Sequence, residues 1–193
     1  MLTRRSLLVL GALFGAALPV GQPKAETLAP VMTDDGLHSQ SWFLESFLDL
    51  SEDLEEAAGE GKGFAIIWEQ RGCPYCRETH LVNFAQPEIQ SFVRENFEIL
   101  QLNMFGSRQV TDFDGEELEE RALARKNGVA FSPTIQFFPR DPAEVAGKPG
   151  KEAEVARMPG YLLPPHFLAM FEFVKDEAYR RISFRQYMKE NPL

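Results

Sequence analysis

The stretch Phe64-Ala65-Ile66-Ile67-Trp68-Glu69-Gln70-Arg71-Gly72-Cys73-Pro74-Tyr75-Cys76 decides how the rest of the chain is read. An apolar, β-rich run breaks at Gly72, and the residues after it have the character of a helix start. The only two cysteines of the 193-residue chain stand at that junction, two residues apart. In Cys-x-x-Cys at a helix start, unpaired backbone N–H groups and the positive end of the helix dipole point at the first sulfur. Both favour thiolate over thiol, so Cys73 is expected to ionise more readily than an ordinary cysteine. Pro74 suits the first helical turn, where its missing N–H has no partner to lose. Cys76 lies one turn further in, within reach of Cys73. As a staple, a four-residue ring contributes only about 2 kcal/mol, against about 3 for fifteen residues. The spacing points to thiol–disulfide exchange rather than to scaffolding.

Working outward, Phe64–Glu69 reads as a strand buried on both faces, the kind found mid-sheet. Ahead of it, Trp42, Phe43, Phe47, Leu50 and Leu54 recur at helical spacing, predicting a helix from Trp42 to about Ala58 with Ser41 as its cap. After it, a helix runs from Cys73 to about Phe84 and restarts at Pro87 as far as Asn96. Phe97–Leu102 is the next strand, and strand–helix–strand of this length implies a parallel crossover. Val110–Gly115 suggests a short hairpin with Asp114-Gly115 as its turn. The same Asp112-x-Asp114-Gly115 lacks the spacing and the terminal Glu of a calcium loop. Glu116–Asn127 is amphipathic and closed by Gly128. Thr134–Phe138 reads as a strand, residues 143–152 as a polar loop, and Ala153–Met158 as an antiparallel edge strand. A last helix opens at Pro164-Pro165 and runs to about Arg181. The element order, α-β-α-β-α-β-β-α, fits an α/β domain with a four-stranded mixed sheet between helices.

The N-terminus opens with Arg4 and Arg5 ahead of an apolar run, Leu7–Leu18, about a dozen residues long and short for a membrane span. Residues 1–25 are therefore expected to be an export signal, by the Sec or the twin-arginine route. Residues 26–39 read as a flexible polar tail, 40–187 as one domain and 188–193 as a C-terminal tail. Removing 1–25 leaves 17 basic against 29 acidic residues, a net charge of −12. So acidic a surface argues against nucleic acid or an anionic membrane as a partner and favours a soluble monomer. An exported chain whose two cysteines form one Cys-x-x-Cys has no disulfide framework.

Gly72-Cys73-Pro74-Tyr75-Cys76 after an apolar strand resembles the active site of the thioredoxin superfamily. Trp68 through His80 is similar to extracytoplasmic thioredoxin-like proteins encoded with bacterial sulfur-oxidation genes, the SoxW type. The second matching stretch is Gly128-Val129 followed by Ser132-Pro133-Thr134 leading into a strand. The resemblance implies the thioredoxin fold, with an extra N-terminal helix and a short hairpin insertion, and a cis Ser132–Pro133 bond facing the cysteines. It implies a periplasmic reductase of protein disulfides with no bound cofactor beyond the Cys73–Cys76 pair, recharged by a membrane thiol transporter of the CcdA type. In that scheme Cys73 attacks and Cys76 resolves, while Pro74, Tyr75, Ser132, Pro133, Thr134, Glu69 and Arg71 support the site. Arg71 could stabilise the thiolate, and Tyr75 could pack on the partner. Many thioredoxins carry a buried acid six residues before the first cysteine. Here that position is Ile67, so the role of proton acceptor for Cys76 is absent or passes to Glu69. Two alternatives stay open: a periplasmic disulfide oxidase or isomerase, and a copper- or zinc-binding protein on the same fold. The latter would use Cys73-x-x-Cys76-x-x-x-His80, with only His38 and His166 left to complete a ligand set.

Overall fold

The computed structural model describes residues 28–192; the expected export signal at 1–25 lies outside them. Among the described residues no helix is long and apolar enough to cross a membrane. A two-residue ladder, β1 (Val31–Met32) with β2 (His38–Ser39), leads into α1 (Leu50–Gly59) and β3 (Gly63–Glu69). Then come α2 (Pro74–Glu78), continued by a π-helical turn (Thr79–Asn83), α3 (Pro87–Asn96) and β4 (Phe97–Asn103). β5 (Gln109–Thr111) and β6 (Glu117–Glu119) precede α4 (Glu120–Lys126) and β7 (Thr134–Phe137). The chain ends with α5 (Gly150–Ala153), β8 (Ala156–Pro159), α6 (Pro164–Lys175) and α7 (Phe184–Glu190).

The main sheet has the order β4-β3-β7-β8. β3 runs parallel to β4 and antiparallel to β7, and β8 is antiparallel to β7. This is the thioredoxin fold. All seven residues of β3 are buried, and the strand's two-residue period divides them between two cores. Ala65 and Ile67 join Phe84, Phe97, Phe137 and Phe171 on one face. Phe64, Ile66 and Trp68 join Leu50, Leu54 and Leu123 on the other. Trp68 Nε1 donates to Gln136 Oε1 at 2.7 Å, so this indole is satisfied inside the sheet.

Several boundaries differ from those read in the sequence, each for a physical reason. The first helix begins at Leu50, not Trp42. Asp49 accepts from the backbone N–H of Ser51 and Glu52, at 2.9 and 3.2 Å, and outcompetes Ser41 as cap. Upstream, Leu44 N–H is spent on Ile99 O, and Leu48, at φ 67°, gives its carbonyl to Thr111 N–H. Trp42 and Phe43 still reach the core, as edge-on partners of Phe84, whereas Phe47 is fully exposed. The hairpin is wider than 110–115, because β6 takes Glu117–Glu119 from the expected helix and α4 starts at Glu120. The loop at 143–152 contains a 3₁₀ turn (Pro142–Glu144) and the start of α5, and the edge strand begins at Ala156. The last helix stops at Lys175, and Glu177, at φ 49°, turns the chain into α7, whose Phe184 and Tyr187 pack on Phe173. Residues 28–39, read as a polar tail, carry the β1–β2 ladder, and Leu37 is buried.

Candidate functional site

β3 ends at Glu69, and a turn through Gly72 delivers Cys73 to the N-cap of α2 with Pro74 as the first helical residue. Cys73 and Cys76 are joined as a disulfide. Cys73 is 9 % exposed and Cys76 only 3 %, so the first cysteine is the more open of the two. The Cys76 N–H points at Cys73 Sγ from 3.0 Å, a backbone dipole placed to stabilise negative charge on that sulfur. On the other side, Cys73 Sγ lies 3.6 Å from Ser132 O. The Ser132–Pro133 bond is cis, and Thr134 opens β7 with its hydroxyl donating to Phe131 O at 2.8 Å.

The remaining support residues separate into two groups. Tyr75 is exposed and stacks on Tyr161, with ring centroids 6.1 Å apart. The Tyr161 hydroxyl donates to the buried Asn83 at 3.1 Å, and burial together with the Glu78 charge pushes its pKa up. Arg71, expected beside the thiolate, sends its Nε to Asp35 O at 3.0 Å instead. This contact ties the β1–β2 loop to the active-site turn at Gly36, where a Cβ would stand 2.7 Å from Arg71 Nε.

Glu69 is completely buried. Its Oε2 accepts from His80 Nε2 at 2.9 Å and from the Gln101 amide, while Oε1 has no partner among the described residues. The other His80 nitrogen, Nδ1, lies 3.2 Å from Gln40 Nε2. His80 therefore faces Glu69 and Gln40 with both ring nitrogens, so the alternative metal set of Cys73, Cys76 and His80 is not assembled among the described residues. Among the described residues, no group of three or more His, Cys, Asp or Glu is placed to hold a metal ion. Glu69, Cys73 and Cys76 all line one cleft of about 360 Å³, together with Met32, Leu37 and His38 from the β1–β2 segment. Sequence reasoning placed Glu69 near the site but missed Gln40, Gln101, Asn83 and Tyr161. Gln40, Gln101 and Tyr161 come from distant segments, and Asn83, in the π-helical turn after α2, carries no local signal. The part of the cleft lining that comes from residues 32–38 was missed for the same reason.

Residues 50–175 match the thioredoxin-like domain family. A thioredoxin-fold protein from Helicobacter pylori is 19 % identical with a TM-score of 0.56, covering 77 % of this chain and 91 % of its own. A thioredoxin from Thermus thermophilus is 21 % identical with a TM-score of 0.49, covering 65 % of this chain and 83 % of its own. The C-terminal domain of Neisseria meningitidis DsbD in its oxidised form is 15 % identical, with a TM-score of 0.40 and coverages of 63 % and 86 %. No curated protein sequence matches the chain.

Proposed function

Because the chain belongs to the thioredoxin-like domain family, we propose that it is an exported thiol–disulfide oxidoreductase that reduces disulfides in periplasmic proteins. The observation that carries this reading is the asymmetry of the two sulfurs. Cys73 is the more open and stands at a helix N-cap with a backbone N–H aimed at it; Cys76 is shut in behind it. The Cys73 thiolate attacks one sulfur of the partner's disulfide, the partner's S–S bond breaks with its other sulfur leaving as a thiolate, and a mixed disulfide forms. Cys76, as thiolate, then attacks Cys73 Sγ, the Cys73–partner bond breaks, and the electron pair leaves on the partner's sulfur. The partner gains two electrons and the chain keeps the Cys73–Cys76 bond. Ser132 O, beside Cys73, offers the partner's cysteine segment a backbone acceptor for strand-like pairing. Glu69, which lines the cleft it shares with Cys76, takes the Cys76 proton.

The SoxW-type resemblance supports the reducing direction, a CcdA-type membrane transporter as electron source, and a role in sulfur oxidation or thiol maintenance. The Cys76→Ser variant is expected to accumulate covalent adducts with periplasmic proteins that dithiothreitol releases, and Cys73→Ser to accumulate none. Absence of adducts with Cys76→Ser overturns the reading. Direction follows from the equilibrium of the pair with glutathione. A potential well below about −180 mV is expected for a reductase, and one at or above it would favour an oxidase or isomerase.

A further inference from the structure

His80 is buried among Phe43 and Phe84, with ring centroids 5.7 Å away in both cases, where an apolar side chain would pack without desolvating two ring nitrogens. Something offsets that cost. The π-helical turn Thr79–Asn83, which lies three residues beyond Cys76, carries His80 inward, and such local widenings of a helix concentrate at functional positions. A carboxylate only accepts, so Nε2 carries the hydrogen and donates to Glu69 Oε2. The other ring nitrogen, Nδ1, is held 3.2 Å from the Gln40 side-chain amide, so the ring is gripped at both nitrogens. Gln40 thus fixes the orientation in which the ring presents Nε2 to Glu69. Gln101 reaches the same oxygen from β4, which leaves Oε1 as the free oxygen of a fully buried carboxylate.

We propose that His80 is the positioning residue of the resolving step: with its ring oriented by Gln40, it holds Oε2 of Glu69 and so keeps Oε1 available to the Cys76 thiol. The inference rests on the reading of Cys76 as the resolving thiol and assigns the device that serves it. The proton passes from Cys76 Sγ to Glu69 Oε1, and the Cys76 thiolate closes on Cys73 Sγ as the bond from Cys73 to the departing sulfur breaks and the electron pair leaves on that sulfur. His80 keeps its own hydrogen throughout. The titratable and charged groups facing the dyad are His38 from β2 and Cys73, Cys76 and Arg77 from α2 and its cap. Gln40, Gln101, Phe43 and Phe84 add no charge.

The test uses the reduced protein and one equivalent of 5,5′-dithiobis(2-nitrobenzoate), which releases one coloured thiolate when Cys73 attacks and a second when Cys76 closes. His80→Leu is expected to leave the first release within twofold of the parent. The second release should slow about tenfold or more near pH 7, below the 10²–10⁴ ascribed to a general base itself. The deficit should vanish above about pH 9, where an ordinary thiol ionises unaided. His80→Gln, whose amide can still donate to Oε2, is expected to restore most of the rate. Gln40→Leu should show the same pH-dependent signature as His80→Leu and serves should the latter fail to fold. A second release at the parental rate across the pH range in the Leu variants overturns the proposal. So does a His80→Gln variant as slow as His80→Leu. If the parent itself gives no second release, the dithiol reading fails first and takes this inference with it.

Discussion

Glu120 and Glu69 are both buried, yet the fold surrounds them in opposite ways. Glu120 Oε1 accepts from Asn103 N–H at 2.9 Å and from the Arg108 guanidinium at 2.5 Å, and Oε2 accepts from Arg108 N–H at 3.3 Å. It pins the 103–108 turn to α4 so tightly that a Cβ on Gly106 would lie 1.9 Å from Oε2. Every oxygen is engaged and a cation is at hand. Glu69 has neither: an imidazole and an amide share one oxygen, the other is free, and no Lys or Arg among the described residues pairs with it. A buried charge held by a cation and backbone donors is architecture. A buried carboxylate with an open oxygen, lining a cleft with two cysteines, is the arrangement the proposed proton transfer from Cys76 requires.

The contrast is sharpened most by Glu69→Gln. The amide keeps an acceptor for His80, so stability should stay within about 1 kcal/mol of the parent. Closure of the mixed disulfide should nevertheless slow by about a hundredfold at pH 7, read as the second thiolate release. Glu120→Ala should do the reverse. It strips acceptors from two backbone N–H groups and lowers stability by about 2 kcal/mol in urea unfolding, while the folded protein closes its disulfide at the parental rate.

Asp53 supplies an intermediate case. Burial pushes its carboxyl up from 3.8 to about 6; the Ser46 hydrogen bond works against this, and the charges of Asp49, Glu56 and Glu52 add to it. The folded chain therefore binds this proton more tightly than the unfolded one, and the stability it contributes is lost as pH rises from about 4 to 6. Asp53→Asn should accordingly be about 1 kcal/mol more stable than the parent at pH 7.5, with the gap closing by pH 4 in parallel denaturation curves. The smallest effect is expected for Arg71→Ala. Its Nε is engaged by Asp35 O rather than by sulfur, so the rate of Cys73 alkylation should change less than twofold.

The features legible in the sequence are local ones. The β3 run, the break at Gly72, Cys73-x-x-Cys76 and Ser132-Pro133-Thr134 each carry their signal within a few residues, and the strands of the main sheet follow from them. Apolar spacing over 42–54 misplaces the first helix, because it fits a helix equally well when the backbone N–H and C=O groups are instead spent on Ile99 and Thr111. The polar half of the site is hidden for a related reason. Gln40 lies in a stretch that reads as the approach to a helix, Gln101 in a strand, and His80 resembles a metal ligand through its spacing from the cysteines. Only the fold brings the 40, 69, 80 and 101 positions to one point, and no periodicity records such an encounter.

The chemical inequality of the two thiols underlies all of this chemistry, and alkylation of the reduced protein by iodoacetamide across pH, with each cysteine resolved by mass spectrometry, measures it directly. Cys73 is predicted to react alone at neutral pH, with a midpoint well below the ordinary thiol value of about 8.5. Equal reactivity of Cys73 and Cys76, both with midpoints near the ordinary value, would contradict it.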